Sequence, residues 1–198
     1  VISPNHDNFY GKNVINSVGA LHYFKKPNTK SNSKLLTCII GGDNQHYKFN
    51  LHEAYELCNK LLEIKKFNSE IKLSVITSRR TSDLVKHTLI KKLNNIARIW
   101  IGVGENPYKQ AIQESAFFIV TSDSTSMISE AAISGQPIYI FHLPFKRNSK
   151  RIENFQKEFS NLGISRNIKN IQKLEKWTYK PLNESKRIAR IIKEKLIK

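Results

Sequence analysis

Cysteine is scarce in this chain: two in 198 residues. Cys38 falls in a predicted strand and Cys58 in a predicted helix, with no paired spacing, so a disulfide framework is excluded and a reducing, cytoplasmic compartment fits best. Long apolar runs are missing as well. None reaches the roughly 18 residues of a membrane span. No secretory leader is visible, and the first residue is Val rather than Met. The chain is therefore expected to be a piece of a longer protein, with sequence upstream.

Acidic residues are few. Sixteen Asp and Glu face 33 Lys and Arg, a formal net charge of +17. Such a balance invites nucleic acid or an anionic membrane. However, Lys, Asn and Ile are overused along the whole chain, as an AT-rich coding sequence would produce. The cations are dispersed, and the aromatic-plus-glycine pattern of an RNA-binding sheet is missing. Nucleic acid is thus not an expected partner, whereas peripheral attraction to an anionic membrane stays open. The dinucleotide pattern G-x-G-x-x-G, the Walker A loop and the G-x-S-x-G elbow do not occur. The six histidines are scattered, and His46 and His52 span a loop–helix boundary at poor ligand spacing. No metal or cofactor is expected.

What is present is a globular composition, 39% hydrophobic and 10% aromatic, enough for one domain, or one domain and part of another. The middle of the chain alternates strand and helix. Strands are predicted at 35–40 (LLTCII), 71–77, 97–101, 117–120 and 137–141. Helices are predicted at 51–64, 82–94, 106–113 and 124–133, the first from apolar residues at Leu51, Ala54, Tyr55, Leu57, Cys58, Leu61 and Leu62. This alternation means an α/β fold: a Rossmann-like parallel sheet with helices on both faces and strand order 3-2-1-4-5. Residues 1–34 read as the tail of a preceding domain and a linker, 35–182 as the Rossmann-like domain, and 183–198 as a C-terminal helix. The stretch from 149 on is expected to be mostly helical.

In that order the first and fourth strands are neighbours, and the chain leaves them in opposite directions. Ligands bind in the crevice at such a switch point. Its lining loops are Gly41-Gly42-Asp43-Asn44 and Thr121-Ser122-Asp123-Ser124. A glycine pair after a buried strand lets backbone N–H groups approach an anion, although plain turns use it too. Asp123 or Ser124 is a natural N-cap for the helix that follows. The N–H groups of Thr125 and Ser126 are then left without helical acceptors and suit a phosphate. Glu130, about one and a half turns on, could accept from both hydroxyls of a ribose; the plainer alternative is an exposed Glu on a well-capped helix.

Thr77-Ser78-Arg79-Arg80-Thr81 follows the second strand. Its second Arg lies near a helix start, where a cation is unfavourable, which hints at an anionic partner; a solvated basic loop is the other reading. His6-Asp7, with Asn13, is a further polar cluster. Adjacent His and Asp could do acid–base work if an upstream domain closes over the crevice, although an ordinary loop explains them equally.

Several motifs occur together: PNHD (4–7), NVINSVGALH (13–22), IGGDNQHY (40–47), TSRRT (77–81), GENPY (104–108), VTSDSTSMISEAAISGQPIYIF (120–141) and WTYKPLNES (177–185). In this set and order the chain resembles the mitochondrial fission Elm family of bacterial type, over essentially its whole length. That family is similar in turn to the C-terminal part of GT-B glycosyltransferases. The resemblance implies a nucleotide-diphosphate sugar as donor substrate. Glu130 would hold the ribose and Thr125 and Ser126 the diphosphate, with Gly41, Gly42, Asp43, Arg79, Ser122 and Ser124 around them. Gly102, Val103 and Gly104 would face the base, and His6 or Asp7 would be the catalytic base. It also implies a missing N-terminal domain, toward which the terminal helix crosses back, and a fragment inactive by itself. Two alternatives stand beside transfer: a non-catalytic adaptor on a decayed glycosyltransferase fold, and a sugar-nucleotide epimerase. The terminal segment carries Ile188, Ile191, Ile192 and Leu196/Ile197 among six cations, a basic amphipathic helix that could touch an anionic membrane.

Overall fold

Continuous apolar strands dictate a buried parallel sheet, and the computed structural model has one. It describes residues 1–27 and 31–196. Residues 28–30 of the predicted linker and Ile197 and Lys198 of the predicted terminal helix lie outside the described residues.

The chain opens with two short strands, β1 (Ile2–Pro4) and β2 (Ile15–Ser17), paired in parallel with a 3-10 turn over Asn5–Asp7 between them. Then follow β3 (Asn32–Ile40), α1 (Leu51–Phe67), β4 (Lys72–Thr77), α2 (Asp83–Leu93), β5 (Ala97–Trp100), α3 (Tyr108–Glu114), β6 (Ser115–Thr121) and α4 (Thr125–Ala131). After α4 come a 3-10 turn, β7 (Ile138–Phe141), α5 (Lys150–Asn161), β8 (Ser165–Asn167) and α6 (Glu184–Leu196).

The main sheet runs β5-β4-β3-β6-β7-β8, all parallel. Its first five strands have the predicted order. The sixth corrects the expectation that the segment after 149 is mostly helical: Ser165–Asn167 pairs with β7, and residues 168–183 form neither helix nor strand. One apolar cluster packs α1 and α2 on one face of the sheet, with Leu57, Leu61, Val85 and Leu89 fully buried. A second packs α3, α4 and α5 on the other, around Ile112, Ile128, Phe155 and Phe159. The helices start where side chains can cap them. Asn50 and Glu53 form a capping box on α1, Ser82 caps α2, and Ser124 caps α4 through the Met127 N–H.

The N-terminal segment lies over α4 and α5. Gly19 has a positive φ of 69°, and a Cβ there would stand 2.5 Å from Ser129 Oγ and 2.8 Å from Phe159. The close pass lets the Ala20 N–H donate to Ser129 Oγ at 3.0 Å. At the far end, α6 meets this segment: Val18 N–H donates to Glu184 at 2.9 Å, and Ser185 exchanges hydrogen bonds with His22. Of the apolar residues predicted on α6, only Ile188 is buried among the described ones, whereas Leu196 is 80% exposed.

Candidate functional site at the switch point

The loops after β3, β4 and β6 converge on one carboxylate. The Asp123 side chain is fully buried. It accepts from Gly42 N–H at 2.9 Å and from Thr121 Oγ1 at 2.6 Å, and it is ion-paired with Arg80 Nη1 at 2.8 Å. Gly41 N–H donates to Thr121 Oγ1 at 2.8 Å, and Ser78 Oγ donates to the Gly41 carbonyl at 2.9 Å. A buried carboxylate persists only when its lone pairs are met by donors and an opposite charge. The three loops supply both.

This changes the role of the glycine pair. A Cβ on Gly41 would sit 2.0 Å from Asp123 Oδ2, and one on Gly42 would sit 2.1 Å from the Arg80 carbonyl. Both glycines are needed for close approach inside the fold. Their N–H groups are spent on Thr121 and Asp123, so the expectation that they are free for an anion is corrected. The basic loop also finds its anion within the chain, since Arg80 pairs with Asp123. Arg79 is exposed and makes no side-chain hydrogen bond or ion pair among the described residues. Asp43 points to the other side, where Lys146 pairs with it and holds its carboxyl below the usual range, and where it accepts from Phe49 N–H at 3.1 Å. Ser122 Oγ accepts from Leu143 N–H at 2.9 Å, which ties the crevice to the loop after β7.

Ser124, not Asp123, is the N-cap of α4. Its hydroxyl takes the Met127 N–H, and Thr125 and Ser126 are left with no acceptor inside the helix. Glu130, further along, is neither solvated nor fully open. Tyr108, the first residue of α3, donates its phenolic hydrogen to Glu130 Oε2. Burial pushes the Glu130 carboxyl upward, partly offset by this hydrogen bond. Burial and the neighbouring Glu130 charge push the Tyr108 phenol upward too. Glu130 Oε1 has no partner among the described residues, so one oxygen is available where a ribose contact calls for two. Phe24 stands edge-on to Tyr108 with ring centres 5.7 Å apart, closing the cluster from the N-terminal segment.

Gly102 and Gly104 both have positive φ, 103° and 77°, and nothing stands within 4 Å of a Cβ at either. Between them Val103 is 79% exposed. The loop borders a groove of about 520 Å³ along β5, β4 and α3, lined in part by Trp100, Val103 and Pro107. The Trp100 Nε1 is buried there without a hydrogen-bond partner among the described residues.

His6 and Asp7 do not form an oriented dyad. The His6 ring is buried edge-on against Phe155, its Nδ1 has no partner among the described residues, and burial lowers its pKa. Its Nε2 is 3.8 Å from Asp7, whose carboxylate instead pairs with Arg151 at 2.7 Å. Asn13 gives its carbonyl to the Val1 amino group. The buried cysteines are unpaired, and burial raises Cys58 to about 11 and Cys38 further. No group of three metal-ligating side chains occurs among the described residues, and no helix among them is long and apolar enough to cross a membrane. Sequence reading missed Tyr108 as a site residue. Its signal was the Asn-Pro-Tyr start of α3, which fixes the ring at the carboxyl end of the sheet.

A family profile described as Mitochondrial fission ELM1 matches residues 1–196. The chain belongs to that family. It is 37% identical over 160 residues to the uncharacterized protein RP120 of Rickettsia prowazekii, covering 78% of this chain and 45% of that protein. It is 29% identical over 168 residues to the mitochondrial fission protein ELM1 of Arabidopsis thaliana, covering 82% and 38%. The chain thus spans less than half the length of these relatives. In fold, this ELM1-family chain is similar to Staphylococcus aureus MnaA in its complex with UDP, with a TM-score of 0.52 at 14% identity over 94% of this chain and 46% of that one. The likeness is one of fold, the Rossmann-like half of a GT-B architecture.

Proposed function

We propose that this chain is the nucleotide-sugar-binding part of a GT-B-like protein, and that the intact protein transfers a sugar. The observation that carries the reading is the half-buried Glu130 carboxylate. It lies on the helix that leaves the switch point and is held by Tyr108 through one oxygen only. A carboxylate so placed can accept from a ribose hydroxyl. The unpaired N–H groups of Thr125 and Ser126 at the same helix start suit a diphosphate, with Ser122, Ser124 and Asp43 on the surrounding loops. UDP in the fold-similar MnaA complex supports the same substrate class.

In this reading the N–H groups at the helix start and the Arg79–Arg80 loop offset the charge that develops on the departing diphosphate. Val103 and the open loop around it offer a surface for the base. The acceptor's proton would go to a base that includes His6 or Asp7 only if their present contacts rearrange, because Asp7 is engaged with Arg151.

A non-catalytic adaptor is the second reading. It is favoured by the internal use of the Gly41 and Gly42 N–H groups, which closes part of the crevice, and by the name of the Arabidopsis relative. Calorimetry with UDP, GDP, CDP and ADP separates the two. Saturable binding of one nucleotide is expected; binding of none leaves the adaptor. Epimerisation is distinguished from transfer by offering labelled donor without acceptor, since only the epimerase turns it over.

A further inference from the structure

Resting on the nucleotide-sugar reading, we infer that Arg80 is the diphosphate anchor of this site, and that Asp123 is a positioning residue that sets its guanidinium. The basis is which edge of Arg80 is occupied. Nη1 is ion-paired with Asp123 Oδ2 at 2.8 Å and donates to the Gly42 carbonyl at 3.2 Å, so the inward contacts of the guanidinium both fall on this nitrogen. Nε and Nη2 have no partner among the described residues. These two nitrogens form the side-on fork of arginine, whose parallel N–H bonds match two oxygens of a phosphate. The side chain is 39% exposed, whereas the Asp123 side chain is fully buried. One edge is therefore locked inward and the other left at the surface of the switch point.

Arg79 sits next in the chain but lacks this arrangement. It is exposed and unheld, so binding through it would have to order a long side chain first. Arg80 has already lost that freedom through Asp123. Asp123 is itself fixed by Gly42 N–H and Thr121 Oγ1, so β3, β4 and β6 all contribute to the aim of one guanidinium. Asp123 also directly precedes Ser124, the N-cap of α4, which ties Arg80 to the loop that enters that helix. Asp123 reduces the net charge that Arg80 offers; its contribution is orientation.

The test is calorimetry on the chain with three probes: UDP, uridine and inorganic pyrophosphate. R80K keeps the charge and loses the fork. The expected result is a loss of about tenfold or more in affinity for UDP and pyrophosphate, an unchanged uridine affinity, and a smaller loss in R79K. D123N should weaken UDP without further loss when combined with R80K, because both act through one guanidinium. In the unaltered chain, the Arg80 Nε–H signal in nitrogen-15 spectra should shift and exchange more slowly when UDP is added, a readout that survives if a variant folds poorly. UDP bound equally by R80K and the unaltered chain, or an Arg80 Nε–H signal that ignores bound UDP, overturns the inference while leaving the nucleotide-sugar reading intact. No binding of UDP or pyrophosphate by the unaltered chain overturns both.

Discussion

Tyr108 and Glu130 meet across the gap between α3 and α4, the phenol donating to Glu130 Oε2. They lie 22 positions apart in sequence and join the helix that follows the edge strand β5 to the helix that leaves the central strand β6. The contact explains why a carboxylate is tolerated in a half-buried place, and it fixes which oxygen remains free.

Removing the phenolic oxygen should therefore weaken the fold. Tyr108→Phe leaves Glu130 Oε2 partly buried without its donor, at a cost of about 1–3 kcal/mol. It should also push the Glu130 carboxyl further up, since the hydrogen bond is what partly lowers it. Urea unfolding at neutral pH would show the loss. A midpoint equal to that of the unaltered chain would mean that Glu130 is better solvated than its surroundings imply.

Glu130 also makes a pH-dependent contribution with a definite sign. Its folded pKa is raised, chiefly by burial, above the ordinary 4.5. The folded chain therefore holds this proton more tightly than the unfolded chain. That stabilisation is complete below the ordinary carboxylate value and is lost as pH rises through the folded value. Glu130→Gln removes the term. Its stability relative to the unaltered chain should rise as pH is raised from the ordinary carboxylate value through the folded one, then level off. A stability difference that stays constant across that range would contradict the assignment.

Gly41→Ala places a methyl group 2.0 Å from Asp123 Oδ2, in a carboxylate that three loops hold in place. Neither side can move without breaking the Thr121, Gly42 and Arg80 contacts. Overpacking of this kind costs about 1–3 kcal/mol and occasionally more, and the upper end is expected here. Gly104→Ala is the comparison, because a Cβ there meets no neighbour and only the positive φ of 77° opposes it. Thermal melts of the two variants should differ, with Gly41→Ala lower; equal melts would mean that the Asp123 hub yields easily.

These relationships show what the sequence could disclose. Five of the six strands of the main sheet, and their order, follow from apolar runs such as LLTCII and AFFIV, broken by glycines and capped helices, because strand burial and right-handed crossovers leave little choice. The strand β8 was hidden, since Ser165–Asn167 is short, polar and at the edge of the sheet, where pairing is decided by β7 and not by the segment itself. The candidate site could be read from the sequence as a location at the switch point and less so as a set of contacts. Glu130 and the helix start could be located by counting turns. The Asp123–Arg80 pair joins residues 43 positions apart in loops of two different strands, and no local pattern announces it. Gly41-Gly42 showed its need for unusual freedom but not its cause, which is a carboxylate arriving from β6.

The most direct measurement pairs a change in the ligand with a change in the protein. UDP and its 2′,3′-dideoxy analogue differ only in the ribose hydroxyls that Glu130 is proposed to hold. Their affinities would be measured for the unaltered chain and for Glu130→Ala, with a melting curve to confirm folding. A hydrogen bond to a charged group contributes about 1.5–3 kcal/mol, so the unaltered chain should prefer UDP by about tenfold or more. In Glu130→Ala that preference should vanish, with UDP falling to the affinity of the dideoxy analogue. A preference that persists in a folded Glu130→Ala, or no preference in the unaltered chain, would contradict the nucleotide-sugar site at this switch point.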